Sequence, residues 1–132
     1  MALELIKTNA NGISAAYHRA FIAYLDTLQL TVLSYVDAAH RDAEKEINKR
    51  VARKYAINKQ LNALLQNPTS ENEAERISLS TKYESIAENN YVDYSIGTKT
   101  YEFDYDKETP PKFPECYALL KALPEYEGAK DV

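Results

Sequence analysis

The longest run of apolar and aromatic positions in the chain extends from Ile13 to Asp37. Only three of its residues carry a formal charge: Arg19, Asp26 and Asp37. Residues 13 to 25 and 28 to 37 can each alternate between two largely apolar faces of a strand, and the second segment is rich in β-branched residues and tyrosine. Asp26 and Thr27 are turn formers between them. The pattern therefore predicts a β-hairpin at the centre of the core.

A helix is the alternative for the same run, because large apolar residues also recur at helical spacing: Tyr17, Phe21, Tyr24, Leu28, Val32 and Tyr35. The alanines of the first half, and the helix-forming sequence after Ala38, favour the helix. Asn11 and Gly12 before the run, and the β-branched cluster in its second half, favour the hairpin. We take the hairpin as the prediction.

The pattern then changes to one typical of two consecutive helices. The first is predicted over residues 42 to 66, and its apolar stripe is Ile47, Val51, Tyr55, Leu61, Leu64 and Leu65. The second is predicted over residues 71 to 88, with a capping box at Ser70 and Glu73. Its inward-facing residues are Ala74, Ile77, Tyr83 and Ile86. The short connection implies an antiparallel helical hairpin.

Strand patterns flank this helical hairpin. Residues 3 to 8 predict a short strand that leads into a turn, and residues 91 to 105 return to alternation around Gly97. After a proline-rich spacer, residues 114 to 123 predict a short helix. The predicted fold class is α+β: an antiparallel β-sheet (meander) with a central helical hairpin and a short C-terminal helix.

We expect residues 1 to 132 to form a single domain. Its predicted parts are the β-hairpin core of residues 1 to 37, the helical hairpin of residues 38 to 90, and the β-strands and C-terminal helix of residues 91 to 132. The chain is 45% hydrophobic and 27% charged, a composition that suggests neither global disorder nor a fibrous repeat. No apolar run has signal-peptide length or the roughly 20 residues that span a bilayer, so we expect neither secretion by a cleaved signal nor membrane insertion.

The sequence contains no motif for catalysis, cofactor binding or metal binding. The single cysteine, Cys116, excludes an intramolecular disulfide, and nothing in the sequence brings it together with His18 and an aspartate as a nucleophilic site. His40 lies at a charged helix start, where exposure is expected. The acids of residues 102 to 108 lack the glycine and the spacing of an EF-hand loop, and we interpret them as a solvated strand face. We therefore predict no catalytic, cofactor-binding or metal-binding residue and a non-enzymatic role.

Charge is distributed unevenly around the net value of −4: residues 1 to 37 sum to −1, residues 38 to 65 to +4, and residues 66 to 132 to −7. The predicted first helix has a basic stretch over residues 45 to 59: Lys45, Lys49, Arg50, Arg53, Lys54 and Lys59. Interleaved glutamates and the acidic overall balance oppose phosphate binding, so nucleic acid is not an expected partner.

Self-association is predicted because the central hairpin has more apolar surface than one helical layer can cover. Both faces of the predicted 13 to 37 hairpin are largely apolar, and one helical layer covers only one of them. The second face is covered either by another subunit, as in a homo-oligomer, or by residues 91 to 123 of the same chain. Eleven tyrosines fit half-buried sheets and interfaces, although they also fit ordinary strand positions.

Two segments at opposite ends of the chain resemble one family of proteins. NGISAAYHRAFIAYLDTLQLTVLSYVDAAHRDAEKE, residues 11 to 46, has a Gly-Ile turn, an aromatic-His-Arg strand and an apolar strand that ends before an Arg-containing charged stretch. CYALLKALPEYEGAKDV, residues 116 to 132, has an aromatic followed by Leu, Lys, Leu-Pro-Glu and a terminal Asp-Val. Together they cover about 50 of 132 residues and resemble small tail-associated structural proteins of bacteriophages and prophages. The central helical hairpin has no counterpart in that pattern and is a candidate insertion.

The resemblance implies a non-enzymatic structural or adaptor component of a bacteriophage tail or baseplate region, acting through protein-protein assembly. The expected partners are other phage structural proteins and further copies of the chain, and the expected location is the tail region of the virion after synthesis in the host cytoplasm. The alternative is a small intracellular binding or regulatory protein that uses the basic helix of residues 45 to 59.

Overall fold

The structure, a computed structural model, describes all 132 residues and has an α+β fold. Its strands are β1 (Leu3–Thr8), β2 (Ser14–Tyr24), β3 (Leu28–Tyr35), β4 (Gly97–Phe103) and β5 (Lys130–Asp131). Its helices are α1 (Ala38–Leu65), α2 (Glu73–Ser85) and α3 (Phe113–Lys121), and a 3-10 helix (Pro124–Tyr126) follows. Helices hold 40% of the residues and strands 26%, so the predicted fold class is confirmed.

The chain divides into two compact units. The sheet unit comprises residues 1 to 41 and 94 to 132, and the helical unit comprises residues 42 to 93. That the whole chain folds as a single domain stays a prediction.

In the sheet unit, β2 and β3 form the antiparallel hairpin predicted for residues 13 to 37, in a register that runs from Tyr17 opposite Tyr35 to Tyr24 opposite Leu28. The helix alternative for this run is wrong. Both strands have neighbours on both sides, so β-branched and aromatic side chains pack on a pleated interior that suits them. The order is β4-β3-β2-β1-β5 with every neighbour antiparallel, and the first four strands form the predicted meander.

A β-bulge interrupts the pairing of β1 with β2. The register shifts midway along β1, so that residues 5 and 6 lie opposite the single residue Ala16. The bulge takes Leu5 out of the regular ladder, and its carbonyl oxygen accepts a hydrogen bond from the ring of His18 instead. The turn before β2 is closed by Gly12, whose φ of 78° favours glycine.

The core lies between one face of the sheet and a layer made by α3 and the 3-10 helix. Its buried cluster is Leu3, Ala20, Leu28, Leu30, Val32, Cys116, Tyr117, Leu120 and Tyr126. Gly128, with a φ of 82°, then turns the chain so that β5 pairs with Leu3 and Glu4. Neither β5 nor the 3-10 helix was predicted, since each is too short for a periodic signal.

The strand predicted over residues 91 to 105 is shorter, and covers only Gly97–Phe103. The preceding backbone has other partners. The Val92 N–H donates to Oδ1 of Asn48 at 2.8 Å, and the Val92 carbonyl accepts from Nδ2 of Asn48 at 2.9 Å. A side chain of α1 thus takes the place of a neighbouring strand, which alternation in the sequence cannot indicate.

In the helical unit, the chain after α2 runs antiparallel along α1, because successive contacts join Lys54 with Ile86, Arg50 with Glu88 and Asn48 with Val92. The helix starts differ from those predicted. α1 begins at Ala38 because Asp37 accepts a hydrogen bond from the His40 N–H, as an N-cap residue does. α2 begins at Glu73, and its cap is Asn72 rather than Ser70.

The buried stripe of this unit also differs from the prediction. Val51, Ile57 and Leu79 are buried, while four residues predicted to face inward are exposed: Tyr55, Leu65, Ala74 and Ile77. On α1, Lys54 is buried together with Val51 and Ile57, three positions away on either side, so the inward face of the helix is not the purely apolar stripe that was predicted. Its ammonium group is hydrogen-bonded, so a lysine with an apolar stem occupies an inward position.

Candidate functional site

A pocket of about 170 Å³ opens at the end of the sheet near the β1–β2 turn. The residues that line it include Lys7, Asn9, Ile13, His18, Ser34 and Ile96. His18 is fully buried, whereas Ile13 and Ile96 are exposed. The pocket was not predicted, because its walls come from the ends of four separate strands and no local motif joins them.

His18 is hydrogen-bonded at both ring nitrogens. Nε2 donates to the Leu5 carbonyl oxygen at 2.8 Å, because a carbonyl can only accept. Burial lowers the pKa of His18, although the bond to Leu5 opposes this effect and nearby Lys7 adds to it, so at pH 7 the ring is neutral and Nδ1 is an acceptor. The Ser34 hydroxyl therefore donates to Nδ1 at 2.7 Å.

This Ser34–His18 pair resembles the nucleophile and base of acyl-transfer sites in its chemistry. In this sheet, however, the two residues are directly opposed partners of β2 and β3, and the ring also binds β1. Every polar atom of the ring is used to join three strands. The arrangement therefore supports a role in holding the sheet together.

The structure does not join Cys116 to His18. The Cys116 thiol lies 3.9 Å from the Pro111 carbonyl oxygen, which accepts its weak hydrogen bond, and burial raises the pKa of the thiol. Asp106, in the acidic run of residues 102 to 108, accepts hydrogen bonds from the Glu108 N–H and the Thr109 hydroxyl and so stabilises a turn. No group of three or more potential ligands is placed to hold a metal ion.

The sheet face that points away from α3 is the larger candidate for function. Its side chains, here called the open face, are Tyr17, Arg19, Phe21, Ala23, Gln29, Thr31, Leu33, Tyr35, Thr98, Thr100 and Glu102. Tyr35, opposite Tyr17 at one end of the face, is fully buried; the others are half-buried or exposed, and Phe21 is 51% exposed. The alternation in the sequence already assigns the four β2 residues to one face; it does not reveal which face α3 leaves uncovered.

Side chains of the open face are held in place by contacts with one another. The Arg19 guanidinium lies over the Phe21 ring at 4.2 Å, and its Nε donates to the Tyr35 hydroxyl at 3.4 Å. The Thr31 and Thr100 hydroxyls are hydrogen-bonded at 3.0 Å. Such mutual ordering lowers the conformational entropy lost on binding a partner, so the face is suited to protein recognition.

The basic stretch of α1 is only partly available to a ligand. The Lys54 ammonium group donates to the Ile86 carbonyl at 2.8 Å and to Oδ1 of Asn89 at 2.7 Å, and Nε of Arg50 donates to Glu88 at 3.0 Å. The other four basic residues are exposed: Lys45, Lys49, Arg53 and Lys59. Two of the six predicted charges therefore stabilise the helical unit itself.

Comparisons of the chain with protein-family models, with curated proteins and with solved structures found no match. None of the helices is both long enough and apolar enough to cross a membrane.

Proposed function

We propose that the chain is a non-enzymatic structural or adaptor component of a bacteriophage tail or baseplate region, and that it acts by binding other phage structural proteins and further copies of itself. The observation that carries the proposal is the open face. It presents Phe21, Tyr17 and Leu33 on a sheet whose other face is already covered. Ordered aromatic and aliphatic side chains of this kind are typical of the centres of protein interfaces.

The resemblance to tail-associated proteins adds support of a second kind. Its two segments, residues 11 to 46 and 116 to 132, contribute β2, β3, the start of α1, most of α3, the 3-10 helix and β5. They also make contact, since the Tyr117 hydroxyl accepts a hydrogen bond from the Ala20 N–H at 2.8 Å. Apart from residues 42 to 46, which belong to the helical unit, the residues that carry the resemblance therefore all lie in the sheet unit.

Co-purification with tail particles tests the proposal. An epitope-tagged chain is expressed in a host that produces the phage, and particles are separated from soluble protein on a density gradient. We expect the chain in the tail-particle fraction. Its absence from that fraction, together with normal particle assembly when its gene is deleted, would overturn the proposal.

The open face can be tested in the same assay with a matched pair of substitutions. Phe21→Ser removes an exposed aromatic from the open face, and is expected to reduce incorporation into particles by about tenfold or more, as loss of a central interface residue does. The control is Ile77→Ser, which removes a side chain of similar exposure from α2. Equal loss with both variants would show that the open face has no special role.

The alternative, a regulator that acts through α1, rests on the four exposed basic residues of that helix. Phosphate binding of this kind weakens steeply with salt. Binding of nonspecific duplex DNA near physiological ionic strength, abolished by Lys49→Gln with Arg53→Gln, would favour the alternative. We expect no such binding.

A further inference from the structure

β4 is a free edge of the sheet. It pairs with β3 on one side and has no neighbour on the other. Five of its seven residues are exposed: Gly97, Thr98, Lys99, Thr100 and Glu102. No backbone hydrogen bond to a turn, loop or cap engages residues 98 to 103. An edge strand of seven residues with unpaired outward backbone groups is a template for another strand, and natural sheets rarely leave such an edge unprotected.

We propose that β4 pairs with β4 of a second copy of this chain, antiparallel, about a two-fold axis at Thr100. The proposal rests on the assembly role proposed above and adds to it a partner and a register. The other edge of the sheet is less available, because β5 already covers Leu3 and Glu4 of β1.

The register follows from symmetry and charge. A two-fold axis perpendicular to the sheet keeps each side chain on its own face and centres the pairing on one residue. Only Thr100 lies at the midpoint of the strand, so only this axis pairs all seven residues, Gly97 to Phe103. An axis at Lys99 would oppose two lysines, and one at Glu102 would oppose two glutamates, each of which is unfavourable.

The resulting pairs are chemically compatible. Thr100 faces Thr100 of the second copy, and Thr98 faces Glu102, all on the open face. Lys99 faces Tyr101 of the second copy on the opposite side of the sheet, where the Lys99 ammonium already lies 5.0 Å from the Tyr101 ring of its own chain. The two open faces then form one continuous surface across the axis.

Disulfide cross-linking tests the register. Directly opposed residues of antiparallel strands have Cα atoms about 4.5 to 5.5 Å apart, within the range that a disulfide spans. In full-length protein, Thr100→Cys is expected to form a covalent dimer on mild oxidation. The matched control is Thr98→Cys, the same substitution two residues away on the same face, which is expected to cross-link about tenfold less because it faces Glu102. Wild-type protein, whose single cysteine Cys116 is buried, gives the background level of cross-linking.

Thr100→Cys also removes the hydrogen bond between the Thr31 and Thr100 hydroxyls, so a second variant is needed that keeps this bond. The double variant Thr98→Cys, Glu102→Cys leaves Thr100 intact and is expected to form the same dimer through two symmetric bridges. Circular dichroism verifies that each variant is folded. Monomers in both cross-linking variants, or equal cross-linking of Thr98→Cys and Thr100→Cys, overturn the proposal; the latter would indicate random collision or a different partner strand.

The outcome is independent of the tail assay. A chain that enters tail particles but does not cross-link at Thr100 rejects the β4 interface and leaves the proposed function standing. A chain that cross-links at Thr100 but is absent from particles supports the interface and rejects the function.

Discussion

His18 and Ser34 are directly opposed residues of β2 and β3, and the Ser34 hydroxyl donates a 2.7 Å hydrogen bond to Nδ1 of the His18 ring. The opposite ring nitrogen donates to Leu5, so one buried side chain joins three consecutive strands. Because the bonds require a neutral ring with its proton on Nε2, the sheet has a built-in dependence on pH.

The first prediction concerns this dependence. Burial holds the pKa of His18 below 6.5 in the folded protein, whereas the unfolded chain titrates near that value. As pH falls below about 6.5, the unfolded state gains a proton that the folded state does not, and stability falls by at most about 1.4 kcal/mol per pH unit. His18→Gln keeps a hydrogen-bond donor for the Leu5 carbonyl but has no titrating group. It is therefore expected to lose much less stability than the wild type when the pH is lowered. Urea unfolding at about pH 7.5 and pH 5 measures the difference.

The control for this measurement is His40→Gln. His40 is exposed at the start of α1, and its replacement is expected to leave the pH dependence of the wild type in place. If His40→Gln instead removed the dependence while His18→Gln kept it, the buried ring would not be its source.

The sequence predicts the sheet well because alternation is a local signal. β1 has the predicted limits of residues 3 to 8, and the hairpin strands differ by one or two residues at their ends. Alternation also separates the faces of β2, placing Ala20 with the core and Phe21 opposite. Which face α3 covers depends on packing between residues about a hundred positions apart, and the sequence does not state it.

Predictions failed where a side chain substitutes for backbone pairing. The side-chain amide of Asn48 is hydrogen-bonded to both the N–H and the carbonyl of Val92, where the strand was predicted to begin. Lys54 is buried in the helical unit because acceptors from another segment surround its ammonium group. Both interactions join residues more than 30 positions apart, so neither helical nor strand periodicity in the sequence can indicate them.

The second prediction concerns the hydroxyl of Tyr117. It accepts a hydrogen bond from the buried Ala20 N–H at 2.8 Å and donates to the Met1 carbonyl at 2.9 Å. Tyr117→Phe leaves that N–H without a partner, and we expect a loss of about 1 to 3 kcal/mol in the free energy of unfolding. The control is Tyr24→Phe, whose exposed hydroxyl donates to Pro111 and can be replaced by water. Equal losses for the two variants would contradict the argument from burial.

The third prediction concerns Glu125. Hydrogen bonds from Lys99 and then Tyr101 lower the pKa of Glu125 from 4.5 to about 2. The ionised carboxylate therefore contributes stability above pH 4.5, and this contribution is lost as pH falls from 4.5 toward 2. Glu125→Gln should be less stable than the wild type at neutral pH, and the two should converge in acid. Thermal unfolding followed across this range tests it, with the nearby exposed Glu127→Gln as a control that shows no such convergence.

The last prediction concerns Lys54 in the helical unit. Its ammonium group donates to the Ile86 carbonyl and to Asn89, and it lies 4.6 Å from the centre of the Tyr83 ring. These contacts join α1 to the end of α2, in a unit with only three buried apolar side chains on its two helices: Val51, Ile57 and Leu79. Lys54→Met keeps the apolar stem but leaves the buried acceptors unpaired, and is expected to cost about 1 to 3 kcal/mol.

The measurement for Lys54 is hydrogen exchange of residues 42 to 93, because the loss should be confined to the helical unit. Backbone amides of α2 are expected to lose protection, while those of β2 and β3 keep it. Lys59→Met, an exposed lysine on the same helix, provides the matched control and should exchange as the wild type does. If the amides of α2 were equally protected in Lys54→Met and Lys59→Met, the hydrogen bonds of Lys54 would not stabilise the helical hairpin.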